Sequence, residues 1–221
     1  MENFTKKSTP DRNDYCSVSK RTYIKQDYHV YISDELNSVS SYYEMFDVLR
    51  NAEEQDDVYI HINCPGGNIN VTIQMINEIK NSEATVTTII DGEASSGASM
   101  IFLAGDVFVV MPGSYTLCHY FTCGIFGKGH EIKSQAQFQD DHWRNYVGEI
   151  YEGFLTPAEL EQLFNGADFW ISDKQICKRI ELRNAHIKKV NSKKKKAEST
   201  KKPNPKSTKK SINKHRKPTK S

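Results

Sequence analysis

The run Thr85-Val-Thr-Thr-Ile-Ile-Asp-Gly-Glu-Ala-Ser-Ser-Gly-Ala-Ser-Met-Ile-Phe-Leu-Ala-Gly105 constrains this chain most. Its β-branched first half reads as a buried strand, Gly92 as a tight turn, and the small residues that follow as the opening of an apolar helix. A serine at such a junction has its hydroxyl beside the free backbone N–H groups of a helix start. Acyl-transfer enzymes place nucleophile and oxyanion donors together in that way. The same small residues would also let a helix pack closely on a sheet, so the flanking segments have to decide between the two uses.

Those segments repeat the pattern. Tyr28 to Ile32 alternates as a strand does, and Ser33-Asp34-Glu35 offers a helix start for the apolar series Val39, Tyr42, Tyr43, Met45, Phe46, Val48 and Leu49. Val58 to Asn63 reads as a second strand. Cys64-Pro-Gly-Gly67 reads as a sharp turn into a helix with Ile69, Ile73, Met75, Ile76 and Ile79 inward. Ala84 to Ile90, a helix from Ser96 to Ala104, and a short strand Asp106 to Met111 continue the alternation. Beyond a strand at 115–118, residues 119–129 read as a glycine-rich loop and Glu131 to about Glu152 as a long polar helix suited to reach another subunit. Thr156-Pro157 opens a further helix, Asp168 to Ile171 is short and extended, and a last helix from Ser172 ends near Arg183. Alternating strands and helices predict an α/β domain with a mainly parallel sheet and ligands at the carboxyl ends of its strands.

Charge sets the boundaries. Residues 1–187 hold 15 Lys+Arg against 27 Asp+Glu, whereas residues 188–221 hold 15 against 1. The expected organisation is an irregular arm over residues 1–26, a folded acidic domain over 27–187, and a disordered lysine-rich tail over 188–221. Five cysteines without regular spacing (Cys16, Cys64, Cys118, Cys123, Cys177) argue against a disulfide framework and for a reducing, cytoplasmic setting. Neither a signal peptide nor a membrane span is legible, so a soluble protein is expected.

Three polar residues stand at segment ends: Ser96, His119 directly after the strand 115–118, and Asp168 ahead of an aromatic pair. A nucleophilic serine needs a base for its proton and a carboxylate to orient that base. Here the sequence resembles the proteolytic subunit of the Clp protease, from about Tyr28 to about Arg183. Ile62-Asn-Cys-Pro-Gly-Gly67 resembles that family's Asn-Ser-Pro-Gly-Gly turn, and Gly92-Glu-Ala-Ser-Ser-Gly-Ala its serine motif. Leu117-Cys-His119 resembles its histidine motif, and Asp168-Phe-Trp-Ile-Ser172 its aspartate segment.

The resemblance implies Ser96 as nucleophile, His119 as general base and then acid, Asp168 as the residue orienting His119, and Gly67 and Gly97 as oxyanion-hole N–H donors. It implies the spiral of βαβ units shared by Clp peptidases (ClpP) and crotonases, with a protruding long helix. It also implies homo-oligomeric rings that enclose the sites, and unfolded polypeptide delivered by an AAA+ unfoldase. No cofactor and no metal are implied. The sequence departs from the family at Gly97, where methionine is common, at Cys64, which replaces serine, and at Arg179-Ile-Glu-Leu-Arg183, which lacks the Gly-Leu-Val-Asp ending of cellular subunits. Such divergence suits a phage or viral member.

Other readings compete. A maturation protease of limited specificity would use the same residues, a non-catalytic scaffold subunit would not need them, and a crotonase-type acyl-CoA enzyme would share only the fold. Cys118, His119, Cys123 and His130 match none of the usual zinc spacings. The helix around Trp143 reads as packing surface. The lysine tail is suited to phosphate contact, hence nucleic acid, or to simple solvation.

Overall fold

A computed structural model describes residues 24–200; the expected N-terminal arm lies almost wholly outside the described residues, as do Cys16 and residues 201–221. Strand β1 spans Asp27–Ser33 and strand β2 spans Asp57–Cys64, paired in parallel from Asp27↔Asp57 to Ser33↔Asn63. The helix expected from residues 33–35 starts later. Asp34 takes a left-handed φ of 64°, and the Leu36 backbone is captured by the turn after β2, donating to the Gly66 carbonyl (2.8 Å) and accepting from Asn68 N–H (2.7 Å). Only then does a 3₁₀ turn at Val39–Tyr42 lead into helix α1, Tyr43–Asn51, which buries Met45, Phe46 and Leu49.

Helix α2, Ile69–Asn81, is capped by the Asn68 side chain, which accepts from Asn70 N–H. It buries Val71, Thr72, Met75, Ile76 and Ile79, while Ile69 and Ile73 are half-buried. Strand β3, Thr85–Ser95, is longer than its apolar run. The expected turn at Gly92 is absent, and the strand passes straight through it beside a register shift in β2 between Ile62 and Cys64. Asn63 explains both features. Its side-chain oxygen accepts from Glu93 N–H at 3.1 Å and lies where a Cβ on Gly92 would sit, 2.7 Å away, so glycine here makes room for a side-chain bridge.

Helix α3, Gly97–Phe102, is buried throughout. Strand β4 (Val107–Val110) and strand β5 (Tyr115–Cys118) share the edge of β3 opposite β2, pairing with residues 87–90 and 93–95 respectively. Helix α4, Gly129–Tyr151, is exposed over residues 129–138 and buries Val147, Ile150 and Tyr151 at its far end. Helix α5, Pro157–Phe164, begins with a capping box in which Thr156 and Glu159 bond reciprocally. Strand β6, Phe169–Ser172, runs antiparallel to β5. The result is a mixed sheet of six strands, parallel except for β6, in an α/β fold.

Helix α6 spans Asp173–Thr200, so residues 188–200 continue a helix expected to end near Arg183. Lysine and alanine are good helix formers, and the first proline in this region is Pro203. Among the described residues no helix is long and apolar enough to cross a membrane.

Candidate active site

The site grows from the end of β3. Ser95 is 2% exposed and its hydroxyl has no hydrogen-bond partner among the described residues. Ser96 follows at φ 54° and ψ −123°, a conformation that costs a residue with a side chain on the order of 1–3 kcal/mol and persists only where the surroundings enforce it. The enforcing contacts are specific. Ser96 N–H donates to the Leu117 carbonyl at 2.8 Å, and the Ser96 carbonyl accepts from Ser99 N–H at 3.0 Å and from the Ser99 hydroxyl at 2.6 Å. The Pro65–Gly67 turn closes over the junction so tightly that a Cβ on Gly66 would lie 2.6 Å from both the Ser95 carbonyl oxygen and Ser96 Cβ.

Gly67, at φ 140°, sits between the two hydrogen bonds that tie its neighbours Gly66 and Asn68 to Leu36. Among the described residues the N–H groups of Gly67 and Gly97 have no acceptor. Gly97 also has no room for a side chain: a Cβ there would stand 2.3 Å from Thr72 Oγ1, so α2 fills the space it would take. This accounts physically for the departure from methionine at that position.

Ser96, Gly67, Gly97 and half-buried His119 line one cleft of about 470 Å³. Its apolar wall comes from Met100, Phe121, Trp143 and Val147. Trp143, read from sequence as packing surface, thus faces the cleft as well as packing edge-on against Phe121 and Tyr146. Tyr120 pins the loop after His119 to α4 by bonding Asp140 at 3.1 Å; burial first, and then the Asp140 carboxylate, push its phenol up to about 12.

Asp168 is exposed and does not line the cleft. Strands β5 and β6 pair from Tyr115↔Ser172 to Cys118↔Phe169, so that His119 directly follows the last paired residue of β5 and Asp168 directly precedes the first of β6. Parallel pairing of Ser95 with Leu117 carries Ser96 to the same end of β5. No hydrogen bond joins the side chains of Ser96, His119 and Asp168. Among the described residues no group of three or more His, Cys, Asp or Glu side chains is placed to hold a metal.

Beneath the elbow lies a buried polar group that the sequence did not single out. Ser99, Thr116, Cys118 and Tyr151 are each at most 1% exposed, and the Ser99 hydroxyl meets Tyr151 OH at 2.6 Å. Burial pushes the Cys118 thiol up to about 12 and the Tyr151 phenol well above its ordinary value, so both stay protonated. Ser99 carried a weak signal, one helical turn after Ser96. Tyr151 is 52 residues away and carried none.

The family model for Clp protease matches residues 14–175. The chain belongs to the Clp protease family. It is 36% identical over 104 residues to the ATP-dependent Clp protease proteolytic subunit of Chlorella vulgaris, covering 46% of this chain and 51% of that protein. It is 28% identical over 122 residues to proteolytic subunit 1 of Rhodopirellula baltica, covering 54% and 53%. With the corresponding subunit of Deinococcus radiodurans it shares 27% over 135 residues, covering 59% and 65%. This Clp protease family member spans about half the length of the curated relatives it matches.

Proposed function

We propose that the chain is a serine endopeptidase that hydrolyses peptide bonds of unfolded polypeptides within a self-compartmentalised oligomer. The observation that carries this reading is the left-handed Ser96, held at a strand-to-helix elbow in the same cleft as His119 and beside two backbone N–H groups that have no acceptor among the described residues, in a chain of the Clp protease family. Ser96 Oγ attacks the scissile carbonyl carbon as His119 takes its proton. The carbonyl oxygen becomes an oxyanion that accepts from Gly67 N–H and Gly97 N–H, each such donor typically worth about 3 to 4 kcal/mol of barrier. His119 then protonates the departing amine, and a water repeats the sequence on the acyl-enzyme to release the acid and restore Ser96. Asp168 holds the His119 tautomer. Catalytic hydrogen bonds are often long before substrate binds and tighten in the Michaelis complex.

Exposed apolar residues support assembly: Phe126 is 98% and Phe138 67% exposed on the protruding loop and α4. An AAA+ unfoldase is the proposed partner for folded substrates, because this sequence has no phosphate-binding loop of the Gly-x-x-x-x-Gly-Lys kind. The test is hydrolysis of a short fluorogenic peptide by the purified protein, with its oligomer mass measured in parallel. Ser96→Ala is expected to lower the rate by at least about 10³-fold with the oligomer unchanged. Hydrolysis that survives the substitution contradicts the nucleophile. An assembled wild type without hydrolysis marks a scaffold subunit instead, and cleavage of a few proteins without an ATPase marks a limited-specificity maturation protease.

A further inference from the structure

Accounting for hydrogens in the buried group gives it a direction. The Ser99 hydroxyl has one proton, and at 2.6 Å from the Ser96 carbonyl oxygen it donates there. Toward Tyr151, also at 2.6 Å, Ser99 Oγ is therefore the acceptor and Tyr151 OH the donor. The phenol sits on the last residue of α4, fully buried, beside Cys118 on β5. Each donor passes polarisation to the next, so the chain from Tyr151 through Ser99 to the Ser96 carbonyl strengthens along its length. It ends on the backbone oxygen of the one residue in the cleft that is held at left-handed φ against its own preference.

We propose that Tyr151 is a positioning residue for the nucleophile: through Ser99 it anchors the Ser96 carbonyl and so holds Ser96 Oγ at its attacking angle. This deepens, and rests on, the serine-peptidase reading. Tyr151 touches neither cleft nor substrate, since it does not line the cleft. Its effect belongs to the chemical step and not to binding. A tyrosine that merely filled the core would be replaced by phenylalanine without kinetic consequence, because only an oxygen is lost. A relay that acts through Ser99 also has a second signature. Once Ser99 has lost its hydroxyl, removing the Tyr151 hydroxyl has nothing further to disconnect.

The experiment compares wild type, Tyr151→Phe, Ser99→Ala and the double variant by the rate of fluorophosphonate labelling and by kcat and KM on a short peptide. Tyr151→Phe and Ser99→Ala are each expected to slow labelling and kcat about tenfold with KM within about twofold, the double variant matching either single. Wild-type rates in Tyr151→Phe, or a double variant slowed by the product of the singles, overturn the relay. If wild type neither labels nor cleaves, the peptidase reading fails separately. The relay is then decided by crystal structures of wild type and Tyr151→Phe, in which release of Ser96 from φ near 54° supports it and an unchanged φ overturns it.

Discussion

Gly97 shows how one residue can be dictated by another far along the chain. The site a side chain would need is filled by Thr72 Oγ1 and Cγ2, at 2.3 and 3.3 Å from a notional Cβ. Gly97→Ala is therefore expected to destabilise the protein by about 2 to 3 kcal/mol, as overpacking in a rigid core does. In a Thr72→Ala background, where the clashing Oγ1 and Cγ2 are gone and only the Thr72 Cβ position at 3.3 Å remains, the same substitution should cost at least about 1 kcal/mol less, read as coupling in urea-denaturation midpoints. Gly66 is a stricter case, at φ 99° with the Ser95 carbonyl oxygen 2.6 Å from its missing Cβ. Gly66→Ala is expected to cost about 3 kcal/mol or more and to push the turn off the Ser96 elbow, so that fluorophosphonate labelling falls with stability. Both glycines are visible in the sequence, but their partners are not, because a close approach between segments leaves no local signature.

Between elements, the order of strands and helices was legible because each strand carries β-branched residues and each helix its own period. Elements whose limits depend on a partner were not. The turn expected at Gly92 disappears because Asn63, on the neighbouring strand, bridges to Glu93, and the helix expected at Ser33 is delayed because the turn at Gly66 captures Leu36. The same holds for the site: Ser96 and His119 stand at segment ends in the sequence, whereas strand pairing sets both on one cleft, and Asp168, at a third segment end, stays exposed outside it. One tie between elements yields a pH prediction. Arg179 on α6 pairs in two hydrogen bonds (3.0 and 2.7 Å) with Glu159 in the first turn of α5, and its guanidinium, ahead of the Thr156 cap, holds the carboxyl down from 4.5 to about 2. A carboxyl depressed on folding stabilises the protein fully above its unfolded value and loses that contribution as pH falls from about 4.5 toward about 2. Glu159→Gln should therefore cost on the order of 2 kcal/mol at pH 6 and decline less steeply than wild type over that window, measured as urea midpoints against pH.

At the scale of the molecule, the mixed sheet delivers the carboxyl ends of β3 and β5 to one cleft, and α4 walls that cleft with its last turns while its first turns stand exposed. The body is acidic and the C-terminal end of the chain basic, and the helical residues 188–200 belong to the basic part. The central claim is that Ser96, and not its neighbour, is an activated nucleophile. Ser95 is buried and Ser96 opens onto the cleft, so the two adjacent hydroxyls have opposite access. The most direct measurement is mass-spectrometric localisation of a fluorophosphonate adduct on the assembled wild-type protein, with Ser95→Ala and Ser96→Ala alongside. The proposed triad predicts an adduct on Ser96 that persists in Ser95→Ala and vanishes in Ser96→Ala; an adduct on Ser95, or none on the assembled wild type, would contradict it.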